Sequence, residues 1–309
     1  MKLLASLAAL DTLDPTYTWR TGVYYTGTLQ AGVLHGNLIL RGGGDPGLND
    51  ERFLALLRDI QALGVRHIQG DVILDNSLYG IEPGDPAAFD LSPLKPYNAE
   101  PAALLVNYNS MTLRIGSLAG KAVAQLDPDA WPLDSSGLRL DASAPCEGWQ
   151  ERFEVDRDAG AIILTGSYPS ACGARTLWVN VMCPAANSAV YFKRDWQTLG
   201  GSLSGQLRLG GTPAEARLLI ERESPPLSAL VRDINTFSNN VMAKMLFLNL
   251  GVARYGAPAT WEKGQAAILS WLAERTIEAP GLVVENGSGL SRLERMTPAT
   301  VARLLAWAA

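Results

Sequence analysis

Histidine is almost missing from this chain. Only His35 and His67 occur among 309 residues, in unrelated contexts. That argues against a Ser-His-Asp triad and against a metal site built from imidazoles, and each ring is read as a surface or satisfied core residue. Basic clusters are missing as well: the net charge is -5 and the lysines and arginines are dispersed, so no nucleic acid partner is expected. No stretch approaches the roughly 20 apolar residues of a membrane helix, so no transmembrane segment is expected. Met1-Lys2 with Leu-Leu-Ala-Ser-Leu-Ala-Ala-Leu10 imitates a signal peptide, but Asp11 and Asp14 follow at once and no Ala-x-Ala-like site appears. A helix over 1–13 fits better, with Leu3, Leu4, Leu7, Leu10 and Leu13 as its apolar stripe. Gly42-Gly43-Gly44 lacks the Lys-Ser/Thr of a phosphate loop and reads as a turn after a strand. Nothing calls for a metal or a cofactor.

Cysteine is scarce, with three residues in all. Cys146 and Cys172 flank a strand-like stretch beside Pro145, Gly148 and Gly173 and are read as a disulfide, two reduced thiols being the alternative. A disulfide implies an oxidising compartment. Cys183 ends the apolar run from Leu177 and is expected to be a buried core thiol.

What the chain does contain is globular: 47% hydrophobic and 18% charged residues, enough length for two or three domains. Helix-period patterns run over 50–63 (Phe53, Leu54, Leu57, Ile60, Leu63) and 188–199, and on both sides of Ser238 from Pro226 to Leu250. They recur from Thr260 to Arg275 and after Thr297-Pro298. Strand patterns appear at 19–25, 36–41, 68–74, 111–115, 161–165, 177–182, 216–220 and, briefly, 282–285. Residues 75–145 are rich in Pro, Gly, Asp and Ser and read as a small β-rich insertion.

Chemistry concentrates at Ser238-Asn239-Asn240. Alone, this triplet reads as an ordinary turn between helices, where Ser and Asn bond their own backbone. It is accompanied, in order, by Met1-Lys2-Leu3-Leu4, Arg41-Gly-Gly-Gly-Asp-Pro46, Pro96-Tyr-Asn-Ala-Glu-Pro101 and Gly287-Ser-Gly-Leu-Ser-Arg292. Together these resemble the D-alanyl-D-alanine carboxypeptidase/endopeptidases. Those are low-molecular-mass penicillin-binding proteins with domains inserted between a Ser-x-x-Lys and a Ser-x-Asn motif.

The resemblance implies an α+β multidomain fold. Residues 1–28 and 222–309 would form the helical part of a penicillin-binding/β-lactamase-like transpeptidase domain, with its central sheet largely missing. Residues 29–75 and 146–221 would form an inserted α/β domain, and 76–145 a smaller β-rich insertion. It implies catalytic roles for Lys2 (the base that activates the serine one turn before it), Ser238 (a proton relay) and Asn240 (which positions Lys2 and the substrate amide). Arg292 would contact an anionic part of the peptide, a salt-bridged loop residue being the alternative. Peptidoglycan stem peptides and, in the complete enzyme, β-lactams would be its partners, and the periplasm its location.

Three departures accompany the likeness. The nucleophilic serine would fall before Met1, no Lys-Thr-Gly follows Arg292, and Asn286 stands where the family has Asp. The expectation is a chain truncated at both ends and inactive as it stands, the rival being a non-catalytic wall-binding or structural protein made of the inserted domains. Lys2, Ser238 and Asn240 should converge, with Leu3, Leu7 and Leu10 packed against Phe237, Val241 and Met245. Lys2 should lie in an open, hydrated cleft.

Overall fold

The computed structural model describes residues 1–129, 131–157 and 161–309. Helix α1 (Lys2–Leu13) is followed by β1 (Arg20–Tyr25), β2 (Thr28–Gln30), β3 (Val33–His35), β4 (Leu38–Arg41), α2 (Asp50–Ala62), β5 (His67–Ile68) and β6 (Val72–Asp75). Next come β7 (Met111–Leu118), β8 (Lys121–Asp127), β9 (Leu133–Asp141), β10 (Phe153–Arg157), β11 (Ile162–Pro169) and β12 (Arg175–Val179). The remainder is α3 (Pro184–Thr198), β13 (Ser202–Leu203), β14 (Leu207–Leu209), β15 (Arg217–Glu223), α4 (Leu227–Thr236), α5 (Asn240–Tyr255), α6 (Trp261–Glu274) and α7 (Pro298–Ala308).

The first sheet is five-stranded, in the order β14-β6-β4-β1-β15, beside a four-stranded sheet β13-β5-β3-β2. Helices α2 and α3 cover them. Asn49 caps α2 by accepting from the Arg52 amide, and Asp50 and Glu51 in its first turn complement the helix dipole. Its buried face (Phe53, Leu56, Leu57, Ile60) shares a core with Leu38, Leu40, Val72, Leu74, Phe192 and Trp196. After β4 the chain runs so close to its neighbours that a side-chain carbon on Gly43 would lie 1.9 Å from the Arg20 carbonyl oxygen. That contact is the physical reason for glycine here.

Residues 111–182 build a second core. Sheets β12-β7-β8 and β10-β11-β9 enclose Met111, Leu113, Ile115, Leu138, Ile162, Leu164 and Tyr168. The bond between Cys146 and Cys172, with Cα atoms 4.8 Å apart, closes this block. Cys183 departs from expectation: it is exposed and sits just before α3, because the apolar run that suggested burial ends one residue earlier, at Met182.

Strand pairing runs across two of the boundaries that the resemblance implies. β9 pairs in parallel with β11, so the two sides of 145/146 share one sheet. β1 lies between β4 and β15, so residues 20–25 belong to the first sheet and not to the helical part. Backbone pairing, which composition does not record, decides both. The strand expected at 282–285 is reduced to a single bridge between Val283 and Arg295.

The helical part packs around α5, which is buried from Asn240 to Gly251 on every side. Gly264 of α6 lets the two helices approach, since a side-chain carbon there would meet the Phe247 ring at 2.4 Å. α1 buries Leu4, Ala5, Ala8 and Ala9 completely, and Leu7, Leu10 and Leu13 pack against the same core while only partly buried. Its partners include Met242, Ala243 and Leu246 of α5. Phe237 is 75% exposed, and Val241 and Met245 face a separate cluster with Ala99, Ala103 and Leu105. The packing expected for Leu3, Leu7 and Leu10 is therefore corrected: small alanines allow close helix contact, and α5 has a second face to cover.

Candidate active site

α1 begins at Lys2 and α5 at Asn240, and the docking of the two helices brings these starts together. The Lys2 amine donates a hydrogen bond to Asn240 Oδ1, across 238 positions of sequence. It donates a second to the Ser288 carbonyl at 2.6 Å. The oxygen of the Asn240 amide is the atom turned toward Lys2. Asn240 Nδ2 points to the Tyr97 carbonyl at 3.5 Å. The amine is thus engaged by two protein acceptors while Lys2 itself stays half-buried. Burial lowers the Lys2 pKa below the ordinary lysine value, and the nearby Glu294 carboxylate partly opposes this.

Ser238 sits in the three-residue link between α4 and α5 with φ at 51°, a left-handed conformation that a serine adopts at a cost. Asn239 caps α5, accepting from the Met242 amide at 3.0 Å. These two constraints leave Ser238 exposed while Asn240 turns inward. Ser238, Asn239 and Asn240 line a cleft of 580 Å³ with Tyr97, Tyr108 and Trp178. Every residue lining it is uncharged. Trp178 comes from β12 of the second core and is 53% exposed.

The other segments that accompany the Ser-x-Asn triplet gather along α5. Lys244, one turn after Asn240, is buried, donates to the Ala99 carbonyl at 3.2 Å and lies 3.7 Å from the Glu100 carboxylate. Burial lowers its pKa and Glu100 opposes that shift. Asn249 Nδ2 donates to the Gly44 carbonyl at 2.8 Å. Asp45, 5% exposed, accepts from the Gly47 amide at 2.7 Å, and burial raises its pKa to about 6.

Arg292 lies apart from the Lys2–Asn240 pair, in a neighbouring cleft of 540 Å³ with Glu100, Lys244 and Glu285. Its guanidinium donates to the Phe89 carbonyl at 3.1 and 2.8 Å and lies 4.5 Å over the Phe89 ring. Among the described residues Asp90 is the carboxylate that senses its charge. Sequence reasoning does not single out the Ser288 carbonyl, Glu294, the Tyr97 carbonyl or Trp178. For the first and third, the Gly287–Arg292 and Pro96–Pro101 segments contain the signal but not the atom. Trp178 carries none, because an exposed aromatic at a strand edge looks like any strand residue. Among the described residues no helix is long and apolar enough to cross a membrane.

The D-Ala-D-Ala carboxypeptidase 3 (S13) family model matches residues 1–309. The chain is 29% identical over 315 residues to the D-alanyl-D-alanine carboxypeptidase of Actinomadura sp. (strain R39), covering 99% of this chain and 58% of that protein. It is 26% identical over 310 residues to D-alanyl-D-alanine carboxypeptidase DacB of Haemophilus influenzae, covering 100% of this chain and 65% of that protein. The chain therefore spans about three fifths of the length of these relatives. The crystal structure of penicillin binding protein 4 from Haemophilus influenzae superposes with a TM-score of 0.82 at 24% identity, over 99% of this chain and 68% of that one. A second crystal structure of that protein, complexed with a β-lactam, gives 0.76 at 25% identity, over 99% of this chain and 66% of that one. On the match along its whole length, the chain belongs to the D-Ala-D-Ala carboxypeptidase 3 (S13) family.

Proposed function

We propose that this chain carries the lysine and Ser-x-Asn portions of an acyl-serine site for cleaving peptidoglycan stem peptides, inhibited by β-lactams in the complete enzyme. The observation that carries this reading is the pairing of the Lys2 amine with Asn240 Oδ1 at the junction of α1 and α5. Lys2 is the base. Its two acceptors, Asn240 Oδ1 and the Ser288 carbonyl, match the two N–H groups of a neutral amine and leave the lone pair free for a proton. Burial favours that neutral form. Ser238 relays the proton from the exposed turn, and Asn240 orients Lys2 and the substrate amide. Arg292 contacts an anionic part of the peptide. The disulfide supports an oxidising compartment outside the cytoplasm.

The two cores around the sheets act as domains inserted into a helical transpeptidase part whose central sheet is largely absent from these 309 residues. Neither a serine one turn before Lys2 nor a Lys-Thr-Gly strand is among them. The 309 residues by themselves are therefore inactive and form no covalent adduct with penicillin, since positioning without a nucleophile leaves only residual effects. A fluorescent penicillin followed by denaturing electrophoresis tests this. The chain as given should stay dark, and the product of the surrounding in-frame coding sequence should be labelled. A labelled 309-residue band, or a dark product that contains the full motif set, would overturn the reading.

A further inference from the structure

The turn that follows Val284 is tied together by one side chain. Glu294 Oε1 accepts the backbone N–H groups of Glu285 at 3.0 Å, Asn286 at 3.1 Å and Gly287 at 3.1 Å. Its Oε2 accepts that of Gly289 at 2.9 Å. Four amides therefore converge on one carboxylate, a charge-assisted arrangement stronger than the same bonds to a neutral acceptor. Glu294 is itself held from both sides. The Ser291 hydroxyl accepts from its amide at 3.1 Å, and the neighbouring Arg295 exchanges two backbone hydrogen bonds with Val283. Asn286 Oδ1 adds bonds from the Ser288 amide at 2.9 Å and the Ser288 hydroxyl at 2.7 Å. With its own amide and hydroxyl held inside the turn, Ser288 turns its carbonyl outward to the Lys2 amine.

We infer that Glu294 is the positioning residue for Lys2: by gathering the Glu285–Gly289 amides it aims the Ser288 carbonyl at the amine. Glu294 touches neither a reacting atom nor, among the described residues, Lys2 itself. It sets one of the two acceptors that leave the Lys2 lone pair where a proton can be taken. A glutamate serves because both oxygens are needed, three amides on one and the fourth on the other. The arrangement has an electrostatic consequence. The charge that bears on Lys2 is Glu294, which favours its protonated form. Glu294 thus holds the amine in a desolvated setting while moderating the loss of its proton.

This inference rests on Lys2 being the base, but its test reads the lysine directly and needs no activity. In the full chain, the Lys2 amine is titrated by competitive labelling with peptide-level readout, exposed Lys121 serving as control. Glu294→Gln keeps one carbonyl oxygen for the Glu285, Asn286 and Gly287 amides and removes the charge, so the Lys2 midpoint should fall. Glu294→Ala releases the turn, withdraws the Ser288 carbonyl and lets water reach the amine, so the midpoint should rise toward the ordinary lysine value. Shifts in opposite directions, each on the order of one pH unit, support positioning. If both variants lower the midpoint, Glu294 is only a nearby charge; if neither moves it, the turn does not govern Lys2. Either result overturns the inference. Amide exchange in the folded Glu294→Gln protein is the second arm. Gly289 should exchange on the order of tenfold faster while Glu285, Asn286 and Gly287 stay protected. Uniform protection or uniform loss would also overturn it.

Discussion

The helical part and the β-rich block of residues 111–182 reach order by different routes. In the block, every strand pairs with another strand of the same block, and two of the pairings join consecutive strands. β7 and β8 pair through Ala119-Gly120, both with positive φ, a turn whose twist suits a hairpin. Cys146 and Cys172, 26 positions apart, staple the rest. In the helical part the decisive contacts span the whole chain: Lys2 meets Asn240 and Ser288, and Trp271 Nε1 donates to Asp11 at 2.7 Å. No covalent bond holds these ends; burial of α5 on all sides does. The block can therefore lose local structure without disturbing the Lys2–Asn240 pair, its share of the cleft being Trp178, whereas a loss anywhere around α5 should reach that pair.

The largest effect should come from Phe247→Ala. Phe247 is fully buried and fills the space against Gly264 and Gly287. Its truncation should cost about 3 to 5 kcal/mol in denaturant unfolding and expose the Lys2 amine to labelling. A loss below about 1 kcal/mol would mean that α5 is not the common support, since that is the ordinary cost of an arbitrary substitution.

Next, replacing Cys146 and Cys172 together by Ser should destabilise the block by about 3 kcal/mol through the freed loop. Labelling of Lys2 should be unchanged. A matching change at Lys2 would erase the contrast between the two regions.

Asp45→Asn addresses the joint where Gly44 and Asn249 connect sheet and helix. Burial raises the Asp45 pKa from 3.8 to about 6, so the folded state binds this proton more tightly than the unfolded chain. The associated stability is present below the unfolded value and is lost as pH rises through about 6. The variant, which keeps an acceptor for the Gly47 amide, should gain at most about 3 kcal/mol over the wild type at pH 8. Little difference should remain near pH 3, as urea midpoints at the two pH values will check. An equal change at both would place the effect in packing.

The smallest effect is expected from Asn239→Ala, which removes the cap of α5 and should cost about 1 kcal/mol. Because the cap also sets the turn at Ser238, backbone amide exchange should quicken at Met242 more than at any residue of the β-rich block. Equal exchange there would show that the turn holds itself.

Many of the helices and the residue types of the site are legible in the amino-acid sequence. Helices over 50–63 and 260–275 follow from their apolar spacing, and α2 and α6 match them within a residue or two. The two paired cysteines stand out through their flanking turn residues. The leucine stripe of α1 marks the packed side of the helix but not its partners, because periodicity reports which side is apolar and not what it meets. In α1 the small residues decide, since Ala5, Ala8 and Ala9 permit the closest approach. Cys183 misleads for a similar reason: an apolar run shows that a segment is buried, not where the burial stops.

By itself, the sequence determined which residue types were available for chemistry: one lysine at a helix start, a Ser-x-Asn between helices, and a glycine-bearing turn. Tertiary structure alone decided that Lys2, Asn240 and the Ser288 carbonyl share one point, and that Glu294 ties the turn that presents it. The reason is physical. Propensity, capping and periodicity act over a few residues, whereas a backbone carbonyl becomes an acceptor for a distant amine only after helix docking fixes both in space.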